Sequence, residues 1–138
     1  MTPTNGDRSG VGPEPHGTDD RNEVLLEGRV SAAPERRTLP SGDEVVALRL
    51  VVRRAQGGVD TLPVSLGPAP PPGARRARGQ VGRRVLANAE ALPAGARVRV
   101  GGRLRRRWWR AGGDLRSRIE VEASVIETVG DASSVSAR

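Results

Sequence analysis

The sequence predicts an all-β domain with one short helix. Five segments carry apolar residues at every second position, and one segment between the third and the fourth carries them at helical spacing. Alternation at period two is typical of a strand that buries one face. Five short strands with a helix between the third and the fourth is the element order of an OB-fold, a five-stranded Greek-key barrel.

The first three strands are predicted over 23–31, 45–54 and 59–66. Gly28 lies within the apolar face of the first strand, which indicates a bend or bulge. Pro63 lies within the third strand and has no backbone N–H, so this strand is expected at an edge or interrupted. The segment APERRTLPSGDE between the first two strands contains turn residues, and the Pro-rich segment 67–79 is expected to be a flexible connection.

The second half of the chain supplies the helix and a long hairpin. The helix is predicted over 80–92, and its apolar face comprises Val81, Val85, Ala89 and Leu92. The last two strands, 97–109 and 115–128, are joined by the turn AGGD. Alternation in the last strand predicts these inward residues: Leu115, Ile119, Val121, Ala123 and Val125. It places Glu120 and Glu122 outward, as ordinary charged surface.

Length and composition limit the function. The 138 residues suit one domain, predicted over 22–129, between a disordered leader (1–21) and a short disordered tail (130–138). There is no cysteine, and His16 is the single histidine. We therefore expect no enzyme, cofactor or metal site. No apolar run approaches the roughly 18 residues of a membrane span, and the first residues lack a signal-peptide pattern. The expected location is the cytoplasm, in association with the nucleoid.

The positive charge is concentrated in one part of the chain. All 23 basic residues are arginine, the net charge is +7, and twelve arginines accompany one acidic residue between Arg75 and Arg110. In RVRVGGRLRRRWW, alternation places these residues on one face: Arg97, Arg99, Arg103, Arg105, Arg107 and Trp109. Trp108 falls on the barrel side, as core or rim. Guanidinium groups suit phosphates and an indole suits a stacked base, so this arginine ladder predicts binding to single-stranded nucleic acid.

The residues also resemble the bacterial single-stranded DNA-binding proteins (SSBs). NEVLLEGRVSAAPERRTLPSGDEVVALRLVV resembles the opening strand, turn and second strand of that family, and LPAGARVRVGGRLRRRWW with GGDLRSRIEVEA resembles its last two strands. The resemblance implies an OB-fold that binds single-stranded DNA with little sequence preference, in DNA replication, repair or recombination. It also implies a homo-oligomer, a dimer or a tetramer, with no membrane contact.

The resemblance also suggests site residues. Trp109 matches the stacking tryptophan of the family, and the remaining candidates for DNA binding are Arg29, Arg49, Arg53, Arg97, Arg99, Arg103, Arg105, Arg107, Arg110 and Arg116. The chain departs from the family because it has no Phe or Tyr to supply further stacking rings, and because it ends in SSVSAR where the family typically has an acidic tip. These departures predict a divergent paralogue with weaker, more salt-sensitive binding.

Two other functions remain compatible with the sequence. The first is an OB-fold assembly module that pairs with a full-length paralogue and has lost most DNA binding, as the missing aromatic residues would allow. The second is an RNA-binding OB-fold of the cold-shock kind, against which the absence of a Phe/Tyr-rich strand argues. Loss of DNA binding at moderate salt would favour the assembly module.

Overall fold

The structure, a computed structural model, describes residues 20–130. Most of the predicted leader and tail lies outside these residues. Within them are six strands and one helix: β1 (Val24–Val30), β2 (Glu35–Thr38), β3 (Glu44–Arg53), β4 (Val59–Ala69), α1 (Arg83–Glu90), β5 (Arg97–Ala111) and β6 (Asp114–Thr128). Within residues 20–130, no helix has the length and apolar character required to cross a membrane.

The strands form one sheet that closes on itself. Their order is β1-β5-β6-β4-β3-β2, and a further pairing of β1 with β3 completes the ring. All pairs are antiparallel except β4 with β6, where Val64 lies opposite Val121 and Leu66 opposite Ala123. Closure removes most free strand edges, so the backbone hydrogen bonds of the barrel are satisfied within the sheet. The predicted all-β architecture with one helix is confirmed.

The core lies inside the barrel and is closed at one end by the helix. One face of each of the first three predicted strands contributes to the core: Val30, Val46, Leu48, Leu50, Val64 and Leu66 are buried. Leu86 and Ala89 of α1 pack on the same cluster. Leu86 was not on the predicted face, whereas the predicted Val85 is exposed, because α1 begins only after Gly82 and the spacing from Val81 is not helical.

One strand was not predicted. β2, the segment ERRT, pairs with β3 from Glu35 opposite Ala47 to Thr38 opposite Glu44. Its four residues carry three charges and no apolar alternation, so no local pattern indicates a strand. β2 lies at the end of the strand order, outside the five strands of the predicted barrel.

A bulge in β6 changes which residues face inward. Gly101 lies opposite Val125 and Gly102 opposite Ala123, so Ser124 has no directly paired residue. The extra residue reverses the alternation: Ile126 packs against the core, while Val125 is exposed. The predicted inward position of Val125 is therefore wrong.

The β5–β6 hairpin extends beyond the barrel core. Leu115 and Ile119, predicted to face inward, are exposed, and so are Leu104 and Trp108 on β5. The alternation of the two strands continues, but no second layer formed by residues 20–130 covers this end of the hairpin. Trp108 was predicted to lie in the core or at the rim of the barrel; it is 60% exposed and so is not a core residue.

An ion-pair network attaches α1 to the sheet. The Glu44 carboxylate accepts hydrogen bonds from Arg83 Nη1 (2.7 Å) and Arg36 Nη1 (2.8 Å). Arg36 also pairs with Glu90 at the end of α1 (2.6 Å). The hydrogen bond from Arg83, followed by the one from Arg36, holds the pKa of the Glu44 carboxyl below its ordinary value of 4.5. These contacts stabilise the ionised form of Glu44.

Replacing Glu44 with glutamine should reduce stability in a pH-dependent manner. Since the folded-state pKa of Glu44 is lowered, its ionised form stabilises the fold fully above about pH 4.5, and this contribution is lost as the pH falls through the folded-state pKa. The urea midpoint of Glu44→Gln should lie below that of the wild type at pH 7, and the gap should narrow under acidic conditions. The matched control is Glu23→Gln, a change at an exposed carboxylate; an equal gap at every pH would contradict the prediction.

Candidate nucleic-acid interface

A groove of about 550 Å³ crosses the outer face of the sheet. β2 and the loop before it form one wall, β3 and β4 form the floor, and the β5–β6 hairpin forms the other wall. The charged side chains that line it are Arg37, Arg49, Arg107, Arg118, Glu35 and Glu120. Four arginines against two glutamates leave an excess of two positive charges. The groove is therefore suited to an anionic chain.

The arginine ladder runs beside this groove, but its charges are partly neutralised. Glu122 accepts a hydrogen bond from Arg103 Nε (2.8 Å) and lies 3.5 Å from Arg105 Nη1. Arg107 bridges both acids, with Nε 2.7 Å from Glu120 and Nη2 3.3 Å from Glu122. The ladder is thus held in place by two carboxylates.

These two carboxylates correct the sequence prediction. Glu120 and Glu122 are on the predicted outer face, yet they are only 6% and 9% exposed. Antiparallel pairing brings them opposite Arg105 and Arg103 respectively. Parallel pairing with β4 places Ser65 beside Glu122. Ordinary charged surface is therefore the wrong description, because these acids are buried beneath the arginines that they orient.

Both tryptophans line the groove, Trp108 and the exposed Trp109 that was predicted for stacking. Trp109 is 43% exposed, and the Arg118 guanidinium lies 5.9 Å from its ring centroid. A cation at this distance is attracted to the electron-rich ring face. Arg118 also lies 3.4 Å from Glu120, which helps to hold the arginine beside the ring. Arg118 and Arg37, which both line the groove, were not among the predicted site residues.

The ten predicted arginines divide into four groups. Arg49 and Arg107 line the groove with Trp109, whereas Arg103 and Arg105 lie next to it and share Glu122 with Arg107. Arg110 and Arg116 are exposed near the tip of the hairpin, Arg116 directly opposite Trp109. The last group lies away from the groove and comprises Arg29, Arg53, Arg97 and Arg99.

Two arginines of this last group have acidic neighbours. Both lie on β5 before the bulge, in the part of the strand that belongs to the barrel. Glu27 lies 3.2 Å from Arg97 and 3.4 Å from Arg99. Arg97 is also directly opposite Arg29 on β1, and Arg53 lies at the far end of β3. The structure therefore does not gather all eleven predicted residues into one site. Among residues 20–130, the His, Cys, Asp and Glu side chains form no group of three or more that could hold a metal ion.

Comparison with known proteins identifies the fold. The sequence matches no known family model and no curated protein. A solved structure, the SSB of Plasmodium falciparum in complex with single-stranded DNA, matches with a TM-score of 0.60 and 20% sequence identity. The match covers 80% of this chain and 96% of that one. The chain has an OB-fold. The OB-fold predicted from the order of strands and helix is thus confirmed.

Proposed function

We propose that the protein binds single-stranded DNA along this groove with little sequence preference, in DNA replication, repair or recombination. The observation that carries the proposal is the exposed Trp109 ring, with Arg118 beside it, in a basic groove. Proteins that bind single strands without sequence preference combine such a groove with stacking rings. The shared fold supports the proposal, since its solved counterpart is an SSB complex with DNA.

The arginines contribute unequally to this function. No ion pair within residues 20–130 involves Arg49, Arg110 or Arg116, so their guanidinium groups are available to phosphates. Arg103 and Arg107 are held by carboxylates and serve mainly to shape the wall of the groove. Guanidinium–phosphate pairs and ring stacking do not read the edges of bases. Binding is therefore expected to tolerate any sequence.

The proposal distinguishes single strands from duplex. A base can stack on the Trp109 ring only when it has left its neighbours in the strand, which in a duplex costs a few kcal/mol. Duplex phosphates would still attract the arginines. Single strands should therefore bind more tightly than the matching duplex at equal salt, and they alone should quench the tryptophan emission.

We extend the proposal to assembly and ancestry. Leu25, Gly101 and Val125 form a row across β1, β5 and β6, and the two large side chains are 73% and 48% exposed. An apolar row on an outer face favours contact with a second copy, which supports a dimer or tetramer. Light scattering should give a molar mass above that of the 14.6 kDa chain; a monomer would rule this out. The ancestry proposed is a divergent paralogue of bacterial SSBs, acting in the cytoplasm at the nucleoid.

Titration with a poly-T oligonucleotide and with a matching duplex, at low and moderate salt, tests the main proposal. The single strand should quench the tryptophan emission, and log K should fall with log salt at a slope of about −2. This slope corresponds to three phosphates neutralised by three unpaired arginines at about −0.7 each. Equal affinity for duplex would reject the stacking mechanism. Weak binding to both forms that moderate salt abolishes, without quenching, would reject the proposed binding of single strands and favour the assembly module.

A further inference from the structure

The two adjacent tryptophans occupy opposite faces of the hairpin. Trp109 lies opposite Arg116, and Trp108 lies opposite Ser117. Successive side chains of a strand point to opposite sides, so only one of the two indoles belongs to the face with the carboxylates. The other, Trp108, borders the groove as well and is the more exposed, at 60%. Neither ring is in the core, and a large indole exposed to this degree needs a reason.

Trp108 resembles Trp109 in having an arginine beside its ring. The Arg106 guanidinium lies 5.7 Å from the Trp108 ring centroid. Arg106 Nη1 also donates a hydrogen bond of 3.0 Å to Ser117 Oγ, which fixes the guanidinium next to the indole. An arginine holds five N–H donors, so donors remain for a phosphate. Trp108 and Arg106 together form a ring and a cation of the kind that binds one nucleotide.

The face that carries Trp108 has no acidic residue. Its four cross-strand pairs are Leu104–Val121, Arg106–Ile119, Trp108–Ser117 and Arg110–Leu115. This face of the described hairpin therefore has two arginines and no carboxylate, while the opposite face includes Glu120 and Glu122. The large apolar side chains of this face outside the barrel core are about half exposed: Leu104, Ile119 and Leu115. Charge and shape on this face suit a polyanion that also presents flat rings.

A nucleic-acid strand can reach this face around the edge of β5. β1 pairs with β5 only as far as Val24 opposite Gly102. Asn22 then exchanges two hydrogen bonds with the backbone of Leu104, at 2.8 and 2.9 Å. Beyond Leu104, no strand within residues 20–130 pairs with this edge. Because the direction of backbone N–H groups alternates along a strand, the N–H groups of Arg106 and Trp108 point outward like that of Leu104.

We propose that Trp108 and Arg106 form a second nucleotide-binding site, which a single strand reaches from the groove by crossing the β5 edge. The proposal rests on the proposed function, because the strand must first occupy the groove at Trp109. The outward N–H groups of β5 contact phosphates at the crossing, and Trp108 stacks a base on the far face. The hairpin is thus bound on both sides, and longer oligonucleotides gain contacts that short ones cannot make.

Because the chain contains two tryptophans, variants with a single tryptophan report on each face separately. Trp109→Phe leaves Trp108 as the only reporter, and Trp108→Phe leaves Trp109. Each variant is titrated with oligo-dT of about 5 and about 20 nucleotides, lengths that bracket the 4–16 nucleotides covered by one OB-fold. Trp109 emission should be quenched by both lengths. Trp108 emission should be quenched more strongly by the longer one.

Affinity gives a second readout. Trp108→Ala should reduce the ratio of long-oligonucleotide to short-oligonucleotide affinity by roughly 5- to 150-fold, the loss of one stacked base. Arg106→Gln should reduce the same ratio. Arg84→Gln, an equal change of charge on the exposed side of α1, should leave it unchanged.

The outcomes separate the two proposals. If both oligonucleotides quench Trp109 while Trp108 is unaffected by either, the second site is wrong and the proposed function stands. If neither oligonucleotide binds, the proposed function fails and the second site fails with it. If Trp108 emission changes with protein concentration in the absence of DNA and not with added DNA, the face binds a second copy, and the second site is wrong.

Discussion

Replacing Gly102 with alanine should lower the free energy of unfolding by about 3 kcal/mol, the upper end of the cost of overpacking. A Cβ built at Gly102 would overlap the backbone carbonyl of Glu122 on the neighbouring strand. The paired backbone cannot move away as a flexible side chain can by changing its rotamer. β5 and β6 would therefore have to separate at the bulge. Urea denaturation should show the loss as a lower midpoint with an unchanged slope.

The neighbouring glycine provides the matched control. At Gly101, the nearest atom to a new Cβ is Val125 Cβ at 3.9 Å, an ordinary contact. Gly101→Ala should therefore change the stability by no more than about 1 kcal/mol, with a gain expected from the stiffer unfolded chain. Equal destabilisation by the two substitutions would show that the close approach at Gly102 is not the cause.

Replacing Trp109 with alanine should weaken the binding of single-stranded DNA by about 1–3 kcal/mol, the contribution of one base stacked on an aromatic ring. Trp109→Phe should retain a large part of this free energy, because phenylalanine keeps a flat ring at the same position. Since the substitution removes a fluorophore, affinity is best measured by the anisotropy of a labelled oligonucleotide. The ring is 43% exposed, so the fold should tolerate both changes.

Val85→Ala serves as the control for Trp109→Ala. Val85 is an apolar side chain exposed on α1, and it does not line the groove. Its truncation should leave the affinity for single strands unchanged. Wild-type affinity in Trp109→Ala would mean that the ring does not stack a base, and that charge alone accounts for any binding.

The positions of the five main strands along the sequence could be predicted, because alternation survives wherever the two faces of a strand have distinct surroundings. β1 and β3 bury Val30 and Leu50 on one side and expose Arg29 and Arg49 on the other. β2 could not be predicted, because its position depends on pairing with β3 and its own residues show no apolar pattern. The bulge at Ser124 could not be predicted either, since one extra residue reverses the alternation of the strand without altering its composition.

The site was only partly predictable for a related reason. The arginine ladder and Trp109 are adjacent in sequence, so period two places them on one face. Their carboxylate partners, Glu120 and Glu122, come from the next strand, and their burial depends on β4 lying alongside. The opposite wall of the groove comes from β2, which includes Arg37. Contacts between distant segments decided these features, and no single stretch of sequence carries that information.

The burial of Glu120 and Glu122 means that the ladder carries internal counterions. An arginine such as Arg103 keeps N–H donors for a phosphate, but its positive charge is already partly neutralised by Glu122. The free energy gained from a phosphate is smaller as a result, because the nearby carboxylate also repels the incoming strand. The number of arginines on this face therefore overstates its attraction for DNA. The number of cations released from the DNA on binding should therefore match the number of guanidinium groups without acidic partners, and not the total number of arginines.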